Sequence, residues 1–152
     1  FIARPTASPG FDTPAMAYVK EKYRLDYFAY HRWVDTPANM LWPLMSKSVR
    51  DAGIFKSVVT KPSATDTELR LETKILRLQQ VFSEHRSELQ WVVAVQLFDK
   101  KSEELLSTSE FNFIQPDLDE TPYAGVVAAN KAVEEYLNAL NQFLQRQITQ
   151  MP

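Results

Sequence analysis

A chain of 152 residues, 45% hydrophobic and 24% charged, has the length and composition of one globular domain spanning residues 1–152, which excludes a disordered tail or a fibrous repeat. The formal net charge of −2, without a dense Lys/Arg stripe on any predicted face, gives no basis for a nucleic-acid partner. The absence of cysteine excludes disulfides and thiolate metal sites, and no apolar run approaches the roughly 20 residues that span a bilayer.

Pro5, Pro9 and Gly10 leave room only for a short extended piece around Ile2. Met16 to Val19 and Tyr23 to Tyr30, rich in aromatic and β-branched residues, predict a hairpin around the charged turn Lys20, Glu21 and Lys22. Asp35, Thr36 and Pro37 start a helix, because a side-chain oxygen caps its free amides and proline suits its first position. Met40, Leu41, Leu44, Met45 and Val49 continue it, Pro43 removes one of its hydrogen bonds, and Gly53 supplies the left-handed stop.

Phe55 to Thr60 predicts a short strand, followed by a loop over 61–65. From Glu68, apolar and charged residues alternate with the period of two of a strand with one wet face, and the adjacent pair Ile75 and Leu76 predicts a bulge. Leu89, Trp91, Val93, Val95 and Leu97 form the next apolar row, and Leu105 to Ile114 another, completing an antiparallel meander. The stretch 115–122 breaks the sheet and caps a second helix, whose predicted apolar face is Val126, Asn130, Val133, Leu137, Leu140 and Leu144. Gly125, Ala128, Ala129 and Ala132 allow that end to approach another element closely. The expected fold class is α+β, an antiparallel-rich mixed sheet with two helices packed on one face.

Catalytic chemistry finds little support. His31 and His85 stand apart in sequence and outside any metal-ligand spacing, and no nucleophile elbow accompanies His31. The carboxylate pairs Glu103–Glu104, Asp119–Glu120 and Glu134–Glu135 fall in predicted turns or on a polar helix face, where nothing raises a pKa for acid catalysis. The three glycines are isolated and form no phosphate cradle. The expectation is a protein without catalytic residues, metal or cofactor. The aromatic residues are more informative. Tyr18, Tyr23, Tyr27, Phe28, Tyr30, Trp33 and Trp42 crowd one stretch, and a hairpin cannot turn all of them to one buried face. They either cover the core around Pro43 or anchor a partner, with Tyr18, Tyr23, Tyr27, Tyr30, Arg32 and Trp33 as the candidate contact residues.

The order of five runs resembles one family: Pro9 to Val19 (PGFDTPAMAYV), Leu25 to Leu41 (LDYFAYHRWVDTPANML), Ile54 to Val59 (IFKSVV), Leu69 to Gln80 (LRLETKILRLQQ) and Pro122 to Val133 (PYAGVVAANKAV). Together they resemble the ABC-type transport auxiliary lipoprotein components. The resemblance implies a fold similar to the amino-terminal domain of TolB-type periplasmic proteins. It implies a partner that is a mammalian-cell-entry-type or ABC permease subunit, with ATP hydrolysis left to another subunit. It also implies a periplasmic protein held to the outer membrane by a lipid-bearing cysteine upstream of Phe1. The expected role is non-enzymatic docking in lipid traffic between the two membranes. The alternative is a carrier that encloses a lipid between sheet and helices, which requires an apolar cavity of at least a few hundred Å³.

Overall fold

In a computed structural model, which describes residues 1–61 and 66–150, the chain forms a mixed sheet with both helices on one face. The strands are β1 (Thr6–Ala7), β2 (Ala15–Val19), β3 (Asp26–Arg32), β4 (Leu69–Phe82), β5 (Ser87–Asp99) and β6 (Leu105–Leu118). The helices are α1 (Pro37–Asp51) and α2 (Pro122–Gln150). The sheet order is β3-β2-β4-β5-β6, with β1 also on β4.

The meander β4-β5-β6 is antiparallel throughout. Its helix-covered face carries the predicted row of β5, where Leu89, Trp91, Val93, Val95 and Leu97 are all buried. The register of β4 slips between Ile75 and Arg77, so the bulge falls where the two adjacent apolar residues place it. Leu71, Thr73 and Ile75 face the helices before it; Leu78 and Gln80 do so after it. The second edge of β4 is shared. Phe1 to Ser8 runs parallel along its first half, through Leu71 N–H to the Phe1 carbonyl (2.9 Å) and Ser8 N–H to the Ile75 carbonyl (2.8 Å). β2 runs parallel along the second half, Tyr18 opposite Gln80.

Thr36 caps α1, its Oγ1 accepting from Asn39 N–H at 3.3 Å, and Pro37 is the first helical residue. The helix continues through Pro43, and Gly53 ends the segment at φ +65°. Thr121, whose Oγ1 accepts from Ala124 N–H at 3.2 Å, caps α2. α2 covers β5 and β6, where Tyr136 is fully buried among Trp91 (ring centroids 5.2 Å), Phe111 (5.7 Å) and Phe113 (6.4 Å). α1 lies over β4 and the first residues, with Trp42 Nε1–H donating to the Ile2 carbonyl at 3.2 Å.

Four expectations change. Phe55 to Thr60 is not a strand: its Val59 carbonyl accepts one bond from Ile2 N–H (2.9 Å), while Ile54, Phe55 and Val58 pack against the core as irregular chain. Both edges of β4 are already occupied there, leaving no ladder to join. β3 starts at Asp26 rather than Tyr23, because Tyr23 adopts φ +68° and Arg24 N–H closes the turn onto the Glu21 carbonyl (3.1 Å). β6 runs past Gln115 to Leu118; Pro116 is tolerated because β6 is an edge strand and its register to β5 slips at that end. The buried face of α2 is Gly125, Ala128, Ala129, Ala132, Tyr136, Leu140, Phe143 and Leu144, rotated from the predicted stripe so that Asn130 is exposed. Of the loop expected over 61–65, residues 62–65 lie outside the described residues.

A buried polar latch sets the closest approach of α2 to the sheet. The Gln80 amide, 2% exposed, donates to Ser87 Oγ (2.8 Å) and the Thr121 carbonyl (3.0 Å), while Ser87 Oγ donates to the Asp119 carbonyl (2.9 Å). A Cβ on Gly125 would stand 2.5 Å from Gln80 Oε1. Gly125→Ala must therefore break the latch, and we expect a loss of about 1–3 kcal/mol in urea unfolding. In a Gln80→Ala background the same substitution should cost under about 0.5 kcal/mol; an equal cost in both backgrounds would refute the contact as its cause. Burial also pushes the Tyr136 phenol far above its ordinary value. That stabilisation is complete below the unfolded phenol's pKa near 10 and declines as pH rises past it, so Tyr136→Phe should unfold less steeply than wild type between about pH 10 and 11. Parallel slopes would reject the assignment.

Candidate functional site

The β2–β3 hairpin divides its aromatic residues by the geometry of its edge. Ala17 pairs with Tyr27 and Ala15 with Arg32, so Met16 alone on β2 opposes four residues of β3, Phe28 to His31. This wide bulge pushes β3 outward, and Ala29, Tyr30, His31 and Arg32 are all exposed.

Two candidate residues belong to the scaffold. Tyr18 is half-buried, its ring 4.6 Å from Phe28 and 5.9 Å from Phe82, with Lys20 Nζ lying 5.3 Å from the Phe82 centroid. Tyr27 is 41% exposed, but its hydroxyl donates to the Gly10 carbonyl at 2.8 Å and ties the hairpin to the preceding turn. Two others are presented to solvent: Tyr23, 94% exposed at the hairpin tip, and Tyr30, 95% exposed on the bulge. Arg32 is exposed beside Tyr30 and makes no ion pair among the described residues. Trp33 turns away from these to a different place. Its N–H donates to the Pro14 carbonyl at 2.7 Å, and its half-buried side chain lines a cleft between the helices.

That cleft is the feature sequence reasoning missed. α1 and α2 run in the same direction and touch in their C-terminal halves, where the Tyr136 hydroxyl meets Met45 Sδ (3.9 Å) and Asn141 Nδ2–H donates to Ser48 Oγ (2.9 Å). One turn earlier they part. Met40, Leu41 and Leu44 on α1 face Ala129, Asn130 and Val133 on α2 across about 90 Å³, with Ile75, Leu78 and Trp91 as the floor. The Trp91 indole N–H, fully buried, has no acceptor among the described residues. Met40 (37%) and Leu44 (46%), two of the apolar residues at helical spacing on α1, are substantially exposed at the rim. The signal was present in the sequence as an absence of charge: residues 37–46 and 122–130 contain no Asp, Glu, Lys or Arg.

The groups considered for chemistry stay apart. His31 is exposed on the bulge, and His85 is exposed in the β4–β5 turn. Glu103, at φ +57° in the β5–β6 turn, pairs with Arg70, and Glu135 accepts from Gln115 Nε2–H at 3.1 Å. No group of three His, Cys, Asp or Glu that could hold a metal occurs among the described residues. No helix among the described residues is long and apolar enough to cross a membrane.

Comparison with known proteins places this geometry. The family model of the ABC-type transport auxiliary lipoprotein component matches residues 1–141. A crystal structure of a Xanthomonas campestris protein is 15% identical and superposes with a TM-score of 0.88 over 98% of this chain and 84% of its own. An uncharacterised protein of known structure, 9% identical, gives a TM-score of 0.72 over 97% of this chain and 90% of its own. A hypothetical protein from Chlamydia trachomatis, 10% identical, gives 0.51 over 94% and 96%. At these identities the superpositions show the shared fold. No curated protein matches the chain significantly.

The division of the tyrosines is measurable as stability. Tyr27→Phe removes one hydrogen bond and should cost about 0.5–1.5 kcal/mol, whereas Tyr30→Ala, which removes no contact, should stay within about 0.5 kcal/mol of wild type. Equal losses in chemical denaturation would show that Tyr30 also belongs to the scaffold.

Proposed function

This chain belongs to the family of ABC-type transport auxiliary lipoprotein components, and from that premise we propose that its β2–β3 hairpin docks it onto a mammalian-cell-entry-type subunit of an envelope transport system that moves lipids. The family makes it an envelope-associated component of ABC-type transport. Docking is the part added here, and one observation carries it: β3 is an edge of the sheet, and its bulge presents Tyr30 and Arg32 beside unpaired backbone. An edge of this kind accepts a partner strand, and rigid exposed tyrosines bury large area at low entropic cost.

The placement of the chain's start supports the same reading. Phe1 lies beside Leu69 at the start of β4, and the hairpin tip lies beyond its end, a strand of 14 residues away. At about 3.3 Å per residue this is a separation of about 45 Å. A lipid anchor upstream of Phe1, which we place in the outer membrane, would hold one end of the domain at the bilayer and aim Tyr23 away from it. We assign the domain no catalysis of its own. The carrier alternative has less support, since a cleft of about 90 Å³ falls well short of the roughly 300 Å³ of a small-molecule pocket.

The test is affinity for the purified mammalian-cell-entry-type subunit. Tyr23→Ala with Tyr30→Ala, both at exposed positions, should weaken binding at least tenfold, about 1.4 kcal/mol, with unfolding unchanged. Affinity within about 0.5 kcal/mol of wild type would sink the proposal.

A further inference from the structure

We infer that the free edge of β6, with the flank of α2 above it, is a self-association surface whose occupant is β6 of a second copy, running antiparallel about a two-fold axis at Phe111. This surface lies on the edge of the sheet opposite the β2–β3 hairpin. β6 is open along its length: its ladder to β5 uses one edge, and among the described residues no backbone hydrogen bond reaches the other. The devices that blunt an exposed edge are missing from its middle. Over 107–115 the register to β5 is unbroken, Glu110 is the single charge, and there is no lysine or proline. β3, at the other edge, is interrupted by its bulge.

A two-fold contact requires a surface that fits itself. With the axis at Phe111, Glu110 stands opposite Asn112 of the copy, and Asn112 stands opposite Glu110 of the copy. An exposed carboxylate thus meets an exposed amide donor twice, on the face of the sheet away from the helices. Thr108 then faces Ile114, which is 50% exposed. Moving the axis one residue, to Glu110, would instead set two carboxylates against each other.

The helix above sets the axis at the same level independently. Glu135, Ala139, Gln142 and Arg146, at steps of four, three and four, form one stripe of α2. Asn141 turns the opposite side of the helix to α1, while Glu135 reaches down to Gln115 of β6 at 3.1 Å, so the stripe faces the free edge. The Phe111 ring lies 5.7 Å from Tyr136 and 6.4 Å from Phe143, which puts its level between Ala139 and Leu140. The midpoint of Glu135 and Arg146 falls between Leu140 and Asn141, about 1.5 Å away along the helix. A two-fold axis at Phe111 therefore brings Glu135 level with Arg146 of the copy, twice, with the small Ala139 near the centre. α2 straddles β5 and β6, with Tyr136 between Trp91 (5.2 Å) and Phe111. With strands about 4.8 Å apart, the two copies of α2 come to lie about 10 Å from each other, a packing distance for helices. A strand of another protein could fill the open ladder, but opposite charges at equal distances on either side of the Phe111 axis match a second copy of this chain.

The experiment is sedimentation equilibrium of the full chain, with urea unfolding recorded for every variant. Wild type should dimerise at concentrations up to about 100 µM. Asn112→Glu with Arg146→Glu, both at exposed positions, sets like charges against each other at the strand and at the helix, and should raise the dissociation constant at least about tenfold with unfolding unchanged. Reversing the helix pair, Glu135→Arg with Arg146→Glu, should return the constant to within about threefold of wild type. Asn112→Lys, which sets a cation opposite Glu110 of the copy and leaves Gln115 its partner, should tighten association by about threefold. A wild-type chain that stays monomeric overturns the inference and leaves the edge to a strand of another protein. A dimer indifferent to Asn112→Glu with Arg146→Glu has its interface elsewhere, and that also overturns it. Should the reversed pair unfold through loss of the Gln115–Glu135 contact, Asn112→Lys decides alone, and association no tighter than wild type refutes the Phe111 axis.

Discussion

The distance between α2 and the sheet governs much of this molecule. Where the buried face of α2 is Gly125, Ala128, Ala129 and Ala132, the helix backbone can lie close to β4 and β5, to the point that Gln80 leaves no room for a Cβ at Gly125. The same small residues cannot reach sideways to α1. Only at Tyr136 does a side chain become long enough to meet Met45, so the helices join in one half and part in the other. The cleft is thus the other side of close packing: a row of small residues fits α2 to the sheet and leaves the space beside it empty.

The edge strand β3 presents a related trade. A flat, exposed edge invites pairing with any extended chain, and natural sheets blunt such edges with bulges and charge. Here the bulge opposite Met16 interrupts the ladder, and Arg32 follows it. Tyr23 holds φ +68°, a conformation costly for a bulky residue, at the tip of the hairpin. The strain is local, and the turn is closed by Arg24 through Glu21 and Asp26. An edge distorted in this way is selective about what it accepts, because a partner strand must match the bulge as well as the ladder.

Where the sequence was legible, one strong local rule acted alone. The alternation of β5, the adjacent Ile75 and Leu76, and the cap and proline at Thr36 and Pro37 each led to the element observed. It misled where a neighbour decided. Phe55 to Thr60 has strand composition, but both edges of the neighbouring β4 are already paired; Pro116 looks like a terminator, yet an edge strand absorbs it. The stripe on α2 was misplaced because large apolar residues outweigh alanine in any periodicity count, whereas the sheet selected the small ones. Of the six candidate contact residues, composition could nominate the set but not divide it. The division came from surroundings remote in sequence, the Gly10 carbonyl for Tyr27 and the cleft between the two helices for Trp33. The cleft was illegible for the same reason, since its two walls lie far apart along the chain.

The first residues of the chain, laid parallel along β4, have a mechanical consequence. A tether attached at Phe1 pulls along the strand axis, while a load held at the hairpin tip pulls the opposite way through β2 on the same edge. Under such tension the bonds from Phe1, Ala3 and Ser8 to β4 are sheared together instead of peeling one at a time. The domain is therefore braced against tension applied between its first residue and the tip of the hairpin.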